Sequence, residues 1–119
     1  MLRACRLVVD TGIHAFGWTR ERAIAYMVAN TGETLEVATN EVDRYIVWPG
    51  QATAYKVGEM KIKALRAKAH AALGEGFDLR RSNNVIIDGG SVPLSVLEAN
   101  VDAWIAAERT TARSSQTTR

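Results

Sequence analysis

The chain has 119 residues, enough for one domain, and its 47% hydrophobic and 24% charged residues are typical of a globular protein. Because 15 basic residues face 13 acidic ones, neither nucleic acid nor an anionic membrane is an expected partner. No apolar run approaches the roughly 18 residues of a membrane span, so a cytoplasmic location is the default expectation. The single cysteine, Cys5, excludes an internal disulfide.

The hydrophobic periodicity predicts an all-α protein, an irregular bundle of about six helices separated by turn residues. The predicted helices cover 2–16, Thr19 (as cap) to 30, Thr34 (as cap) to the Trp48-Pro49-Gly50 turn, 51–73, Asp78 (as cap) to 87, and 93–108. Residues 109–119 are rich in Ser, Thr and Arg and contain no large apolar residue. We therefore expect one helical segment over 1–108, followed by a disordered polar tail over 109–119.

The first helix combines a largely apolar surface with a row of ionisable residues. Successive residues advance by ~100° on a helix, so Arg3, Arg6, Asp10 and His14 share about a quarter of its circumference. Arg6 and Asp10, like Asp10 and His14, have the i,i+4 spacing at which side chains meet. This row fits a solvated face with ordinary ion pairs. It also fits a polar ladder that faces a cleft, with His14 donating a hydrogen bond to a substrate.

The turn into the fourth helix is the second candidate region. It places Gln51, Tyr55 and Lys56 within six residues, and Ala54 and Gly58 have a spacing that lets another backbone approach closely. A tyrosine there fits core packing with its hydroxyl at the rim, and it also fits a site residue.

The sequence contains no motif with the ligand spacing of a metal site, so no metal and no cofactor is expected in this chain.

Several ordered motifs closely resemble the C-terminal part of a bacterial family, the uncharacterised-domain family 885 (DUF885). They cover roughly residues 1 to 108, and they comprise residues 3–14, 17–19, 45–51, 54–58 and 93–105. Members of this family look like helical zinc metallopeptidases of the gluzincin type. The resemblance implies that the chain is the C-terminal portion of a larger helical metallopeptidase-like fold.

The resemblance also implies roles for individual residues. In related zinc peptidases, a late histidine and a late tyrosine donate hydrogen bonds to the substrate carbonyl and the developing oxyanion, and His14 and Tyr55 look like that pair. Arg6 and Asp10 would then orient the site, and Gln51 and Lys56 are further candidate substrate contacts. The zinc-binding helix and the later glutamate ligand of such proteins lie upstream of the segment seen here.

Two hypotheses about function follow from this comparison. The chain is the C-terminal fragment of a zinc-dependent peptidase or hydrolase, which lacks the zinc motif and is inactive alone, so its partner would be an upstream zinc-motif domain. Alternatively, it is a non-catalytic, stand-alone helical interaction module. The first hypothesis predicts exposed apolar surface on the first and fourth helices, with self-association as a possible consequence.

Overall fold

The structure, a computed structural model, describes the backbone of residues 1–117 and the side chains of residues 1–112 and 114. Within this part of the chain every regular element is helical and no strand is present, which confirms the all-α prediction. Two short 3₁₀ helices accompany six α-helices: α1 (Leu2–Phe16), α2 (Arg20–Thr31), α3 (Leu35–Val47), the 3₁₀ turn Gln51–Thr53, α4 (Ala54–Leu73), the 3₁₀ turn Gly74–Gly76, α5 (Leu79–Asp88) and α6 (Leu94–Thr117).

The helix starts follow the predicted capping residues. The hydroxyl oxygens of Thr19 and Thr34 accept the backbone N–H groups three residues further on, and the Asp78 carboxylate accepts two N–H groups at the start of α5. Such caps satisfy donors that have no partner inside the helix, and each stabilises its helix by about 1 kcal/mol. At the other end of α2, Gly32 adopts a left-handed conformation with φ 73°, which ends the helix at low steric cost.

Contacts divide the chain into two compact units, and unit 1 covers Met1–Glu59. Its core is a single cluster of buried residues from α1, α2, α3 and the first 3₁₀ turn: Cys5, Val9, Ala23, Ile24, Met27, Ala38, Val42, Tyr45 and Ala52. Trp18 packs against this cluster and lies directly on Gly12, where an added Cβ would be 2.5 Å from the indole Cδ2. Only glycine at position 12 leaves room for this contact.

Unit 2 covers Met60–Arg119, of which residues up to 117 are described. Its core consists of Leu65 and Ala69 from α4 and Leu97, Val101 and Ile105 from α6, with Phe77, Val85 and Trp104 among the residues packed around it. The spacing of these buried positions follows one face of each helix. On the exposed side, Lys61 and Lys68 of α4 pair with Glu98 and Asp102 of α6.

Two helix boundaries differ from the predicted ones by more than one residue. The predicted fourth helix begins with a 3₁₀ turn because the Thr53 amide and hydroxyl both donate to the carbonyl of Gly50. The predicted sixth helix continues beyond residue 108 to Thr117. There the Thr110 and Thr111 hydroxyls donate to carbonyls four residues earlier, which satisfies these polar side chains within a helix. The rest of the predicted disordered tail, residues 118 and 119, lies outside the described residues.

Candidate functional site

The polar side chains of α1 contact other segments of unit 1 instead of pairing along their own helix. Within residues 1–117, neither predicted i,i+4 pair, Arg6 with Asp10 or Asp10 with His14, forms, so that part of the sequence prediction is wrong. Each of these side chains contacts α3 or the turn that follows it. Helix packing therefore determines the partners.

Asp10 holds the turn between α3 and α4. Its side chain is buried, and both carboxylate oxygens accept the backbone N–H of Gly50 at 3.1 Å. Gly50 has a φ of 81°, a left-handed conformation that residues with a side chain rarely adopt. Because these two contacts join a buried side chain of α1 to the turn, Asp10 fixes the entry into α4.

Glu41 is the centre of a polar cluster that the sequence did not indicate. Its Oε2 forms an ion pair with the Arg6 guanidinium at 2.9 Å and accepts hydrogen bonds from Arg44 at 3.0 Å and from the Tyr45 hydroxyl at 2.5 Å. Arg44 also donates to the Gln51 side-chain oxygen at 2.6 Å. The i,i+3 and i,i+4 spacings from Glu41 to Arg44 and Tyr45 are the signal that could have found this cluster.

The cluster shifts the pKa values of its members. Burial of Glu41 raises its carboxyl pKa, but the hydrogen bonds from Tyr45 and Arg44 and the positive charges of Arg6 and Arg44 lower it, and the net shift is downward. Burial, followed by the hydrogen bond to the Glu41 carboxylate, raises the pKa of the Tyr45 phenol. Glu41 is therefore ionised and Tyr45 is neutral at neutral pH, which suits the hydrogen bond between them.

His14 lies near the C-terminal end of α1, and its ring is on the exposed side. Its Nε2 is 2.9 Å from the backbone carbonyl oxygen of Tyr45. A carbonyl only accepts, so this nitrogen carries the hydrogen, and in the neutral ring Nδ1 is then an acceptor. The contact attaches the end of α1 to the end of α3.

Tyr55 is 44% exposed and is not a core residue. The guanidinium carbons of Arg3 and Arg6 lie 5.1 and 5.5 Å from the centroid of its ring. Contacts of this kind between a cation and an aromatic ring contribute roughly 0.5–1 kcal/mol at exposed sites. We call Arg3, Arg6 and Tyr55 the Arg–Tyr cluster. Lys56, the next residue, pairs with Glu59 at 3.0 Å.

The Arg–Tyr cluster is suited to bind negative charge. The Arg3 guanidinium and the Tyr55 hydroxyl are hydrogen-bond donors that fit a carboxylate or an oxyanion, whereas Arg6 is already paired with Glu41. His14 is eight residues from Arg6 along α1, which corresponds to about 12 Å of helix axis. The structure thus brings Tyr55 to Arg3 and Arg6, and it brings His14 to the backbone of Tyr45.

No group of three or more His, Cys, Asp or Glu side chains in residues 1–117 is arranged to hold a metal ion. No helix in the same range is both long and apolar enough to cross a membrane.

Unit 1 therefore defines an all-helical protein with a cationic, phenol-bearing surface next to a turn fixed by a buried carboxylate. The family described as "Bacterial protein of unknown function (DUF885)" matches residues 1–101. The chain belongs to this family, which confirms the family predicted from the sequence.

A solved structure, described as "putative lipoprotein from Colwellia psychrerythraea", is similar to this chain at 48% sequence identity with a TM-score of 0.86. The match covers 89% of this chain and 18% of that one, so this chain spans less than a fifth of the length of the solved protein. No curated protein matches the chain.

Proposed function

We propose that this chain supplies the substrate-stabilising wall of a zinc-dependent peptidase or related hydrolase. The observation that carries the proposal is the exposed Tyr55 phenol, whose ring contacts both Arg3 and Arg6. Family membership and the resemblance to helical metallopeptidases support it. In this proposal, as the resemblance implies, the zinc would be held by residues outside this chain.

Tyr55 is the proposed donor to the substrate carbonyl and to the oxyanion that develops during its hydrolysis. Fixed donors aimed at such an oxyanion stabilise the transition state more than the ground state. Arg3 and Arg6 restrict the ring, and the bond from Gly50 to Asp10 fixes the turn five residues before it. Asp10 and Arg6 are therefore positioning residues in this proposal.

His14 is the proposed second donor, but its geometry sets a condition on that role. Its Nε2 hydrogen is directed to the Tyr45 carbonyl. To donate to a substrate, the ring must either release that carbonyl or carry a second proton on Nδ1. Gln51 and Lys56 are weaker candidates for substrate contacts because Arg44 and Glu59 already engage their polar atoms.

The exposed apolar side chains support a covering partner. Phe16 on α1 is 74% exposed, and Tyr55, Val57 and Met60 near the start of α4 are also exposed, as predicted for these two helices. Apolar surface of this kind marks interaction sites. It agrees with a larger catalytic assembly and also with the alternative, a non-catalytic interaction module.

The cytoplasmic location stays a prediction, since the similar solved protein is described as a lipoprotein.

A chimera tests the proposal and separates the two hypotheses. Residues 1–105 of this chain would replace the matching segment of the Colwellia protein, and the zinc-loaded chimera would be assayed on a panel of peptides and aryl amides. Tyr55→Phe keeps the ring that contacts the two arginines and removes only the hydroxyl. We expect turnover to fall by about 10²–10³-fold, the usual loss for one oxyanion donor.

Tyr26→Phe is the matched control. Tyr26 is half-buried against Trp18 and does not belong to the Arg–Tyr cluster. Its turnover should equal that of the unmutated chimera. The hydrolase proposal fails if a folded, zinc-loaded chimera cleaves none of the substrates, and the role of Tyr55 fails if both tyrosine variants are equally active.

A further inference from the structure

Unit 2 contains a groove of about 530 Å³ that has no role in the proposed function. Its lining comes from two segments: Lys63, Arg66, Ala67 and His70 on α4, and Phe77 and Leu79 around the start of α5. This volume lies in the range of small-molecule sites, which are roughly 300–1,000 Å³.

The polar wall of the groove follows from the helical period. Positions 63, 66 and 70 are three and then four residues apart, so their side chains lie on one face of α4. All three side chains carry nitrogen donors, and Lys63 and Arg66 are basic residues. One face of α4 thus presents a row of donors toward the groove.

The lining that follows α4 is apolar and partly aromatic. The ring of Phe77 contacts the His70 imidazole edge to face, with ring centroids 5.2 Å apart. Phe77 also packs on the core of unit 2, whereas Leu79 is 44% exposed. An apolar group in the groove would therefore meet a fixed aromatic surface and a more accessible aliphatic one.

Three acidic side chains of unit 2 contact groups outside the groove lining. Glu98 and Asp102 pair with Lys61 and Lys68. Asp78, between the two apolar lining residues, accepts the backbone N–H groups at the start of α5. Within residues 1–117, Arg66 has no ion pair.

We propose that this groove binds a small carboxylate that carries an aromatic or bulky aliphatic group. The carboxylate accepts hydrogen bonds from the Arg66 guanidinium and the Lys63 ammonium, for which a planar anion is the matching partner. The apolar group lies against Phe77 and Leu79. Both the C-terminal end of a peptide and a free organic acid have this chemistry. The inference is independent of the proposed function because the groove lies entirely within unit 2.

Nuclear magnetic resonance of the full chain tests the proposal with matched probes. N-acetylphenylalanine has the required carboxylate, and N-acetylphenylalaninamide is its neutral counterpart with the same apolar group. We expect saturable shifts of backbone amides within residues 63–79, and an affinity for the amide that is weaker by roughly tenfold, the contribution of one charge-assisted hydrogen bond. Because the cationic groups are accessible to solvent, added salt should weaken binding of the acid.

Variants locate the binding within the groove. Arg66→Gln should lower the affinity for the acid by roughly tenfold, and Leu79→Ala should weaken both probes. Arg109 is exposed on α6 and lies outside the groove lining, so Arg109→Gln makes the same change in net charge and should leave the affinity unaltered. A parallel titration with phenylpropionate distinguishes a free acid, which binds as well, from a peptide end, for which the amide group of the probe is also needed.

The proposal is overturned by any of three results: the acid and its amide bind equally, the shifts do not saturate at millimolar probe, or Arg66→Gln and Arg109→Gln weaken binding to the same extent.

Discussion

Replacing Glu41 by glutamine should destabilise unit 1 more than replacing Asp43, an exposed carboxylate on the same helix, by asparagine. The substitution keeps the shape of the side chain but removes the charge that Arg6, Arg44 and Tyr45 all contact through one oxygen. Arg6 is the sensitive partner because its Nε is already buried without a hydrogen-bond partner.

The magnitude follows from these contacts. A hydrogen bond to a charged group contributes about 1.5–3 kcal/mol, but contributions within one network are not additive. The Glu41 side chain is 22% exposed, so water compensates part of the loss. We therefore expect a decrease of about 2 kcal/mol in the free energy of unfolding, close to a thirtyfold change in the equilibrium constant.

Urea unfolding followed by tryptophan fluorescence measures the change. Trp18 and Trp48 lie in unit 1 and Trp104 in unit 2, so a Trp104→Phe background restricts the signal to unit 1. Asp43→Asn is the control, since it neutralises a carboxylate on the same helix whose pair with Arg20 is exposed. If both variants unfold at the same urea concentration, the reasoning about Glu41 is refuted.

The same carboxylate predicts a pH dependence. The pKa of Glu41 is lower in the folded chain than its ordinary value of 4.5, so the unfolded chain binds more protons between the two values. The stabilisation is complete above about pH 4.5 and is lost as the pH falls through the lowered folded value. The Glu41→Gln variant should lack this part of the acid sensitivity, which unfolding curves measured between neutral and acidic pH would show.

Three glycine substitutions should have different effects on unfolding, measured in the same urea assay. Gly12→Ala should cost about 1–3 kcal/mol because its Cβ would collide with the Trp18 indole, and the fluorescence of Trp18 should change; an unchanged spectrum would contradict the contact. Gly58→Ala, in a helix where no described atom lies within 4 Å of the added Cβ, should instead stabilise by about 0.5–1 kcal/mol. Gly50→Ala should destabilise by about 1–2 kcal/mol because of the positive φ at this position. Asp10→Asn should then cost less stability in the Gly50→Ala variant than it does in the unmutated chain, because Asp10 and Gly50 contact each other.

Local features of the fold could be predicted from the sequence because neighbouring residues determine them. Thr19 and Thr34 cap their helices through contacts three residues away, and Gly32 ends α2 through its own backbone conformation. The prediction at Gly58 illustrates the limit. A close approach was expected there, but among the described residues it occurs at Gly12, because helix packing decides which small residue is covered.

The site was less predictable for the same reason. The polar row on α1 followed from the helical period alone, and the structure keeps Arg6, Asp10 and His14 in it as residues that make specific contacts. Their partners are distant in sequence, so the i,i+4 rule named the wrong ones. No local pattern could indicate that a backbone N–H at Gly50 would bind the Asp10 carboxylate.

The contacts between α1 and the end of α3 also bear on how the chain tolerates insertions. The bonds from His14 to Tyr45 and from Gly50 to Asp10 join residues 31 and 40 positions apart, and both enclose the turn at Gly32 between α2 and α3. The entropic cost of closing such a loop grows slowly, by about 0.6 kcal/mol for each doubling of its length. A flexible peptide inserted at Gly32 would therefore lengthen the enclosed loop with little loss of stability, which makes this turn a position for an epitope, a fluorophore or an additional binding segment.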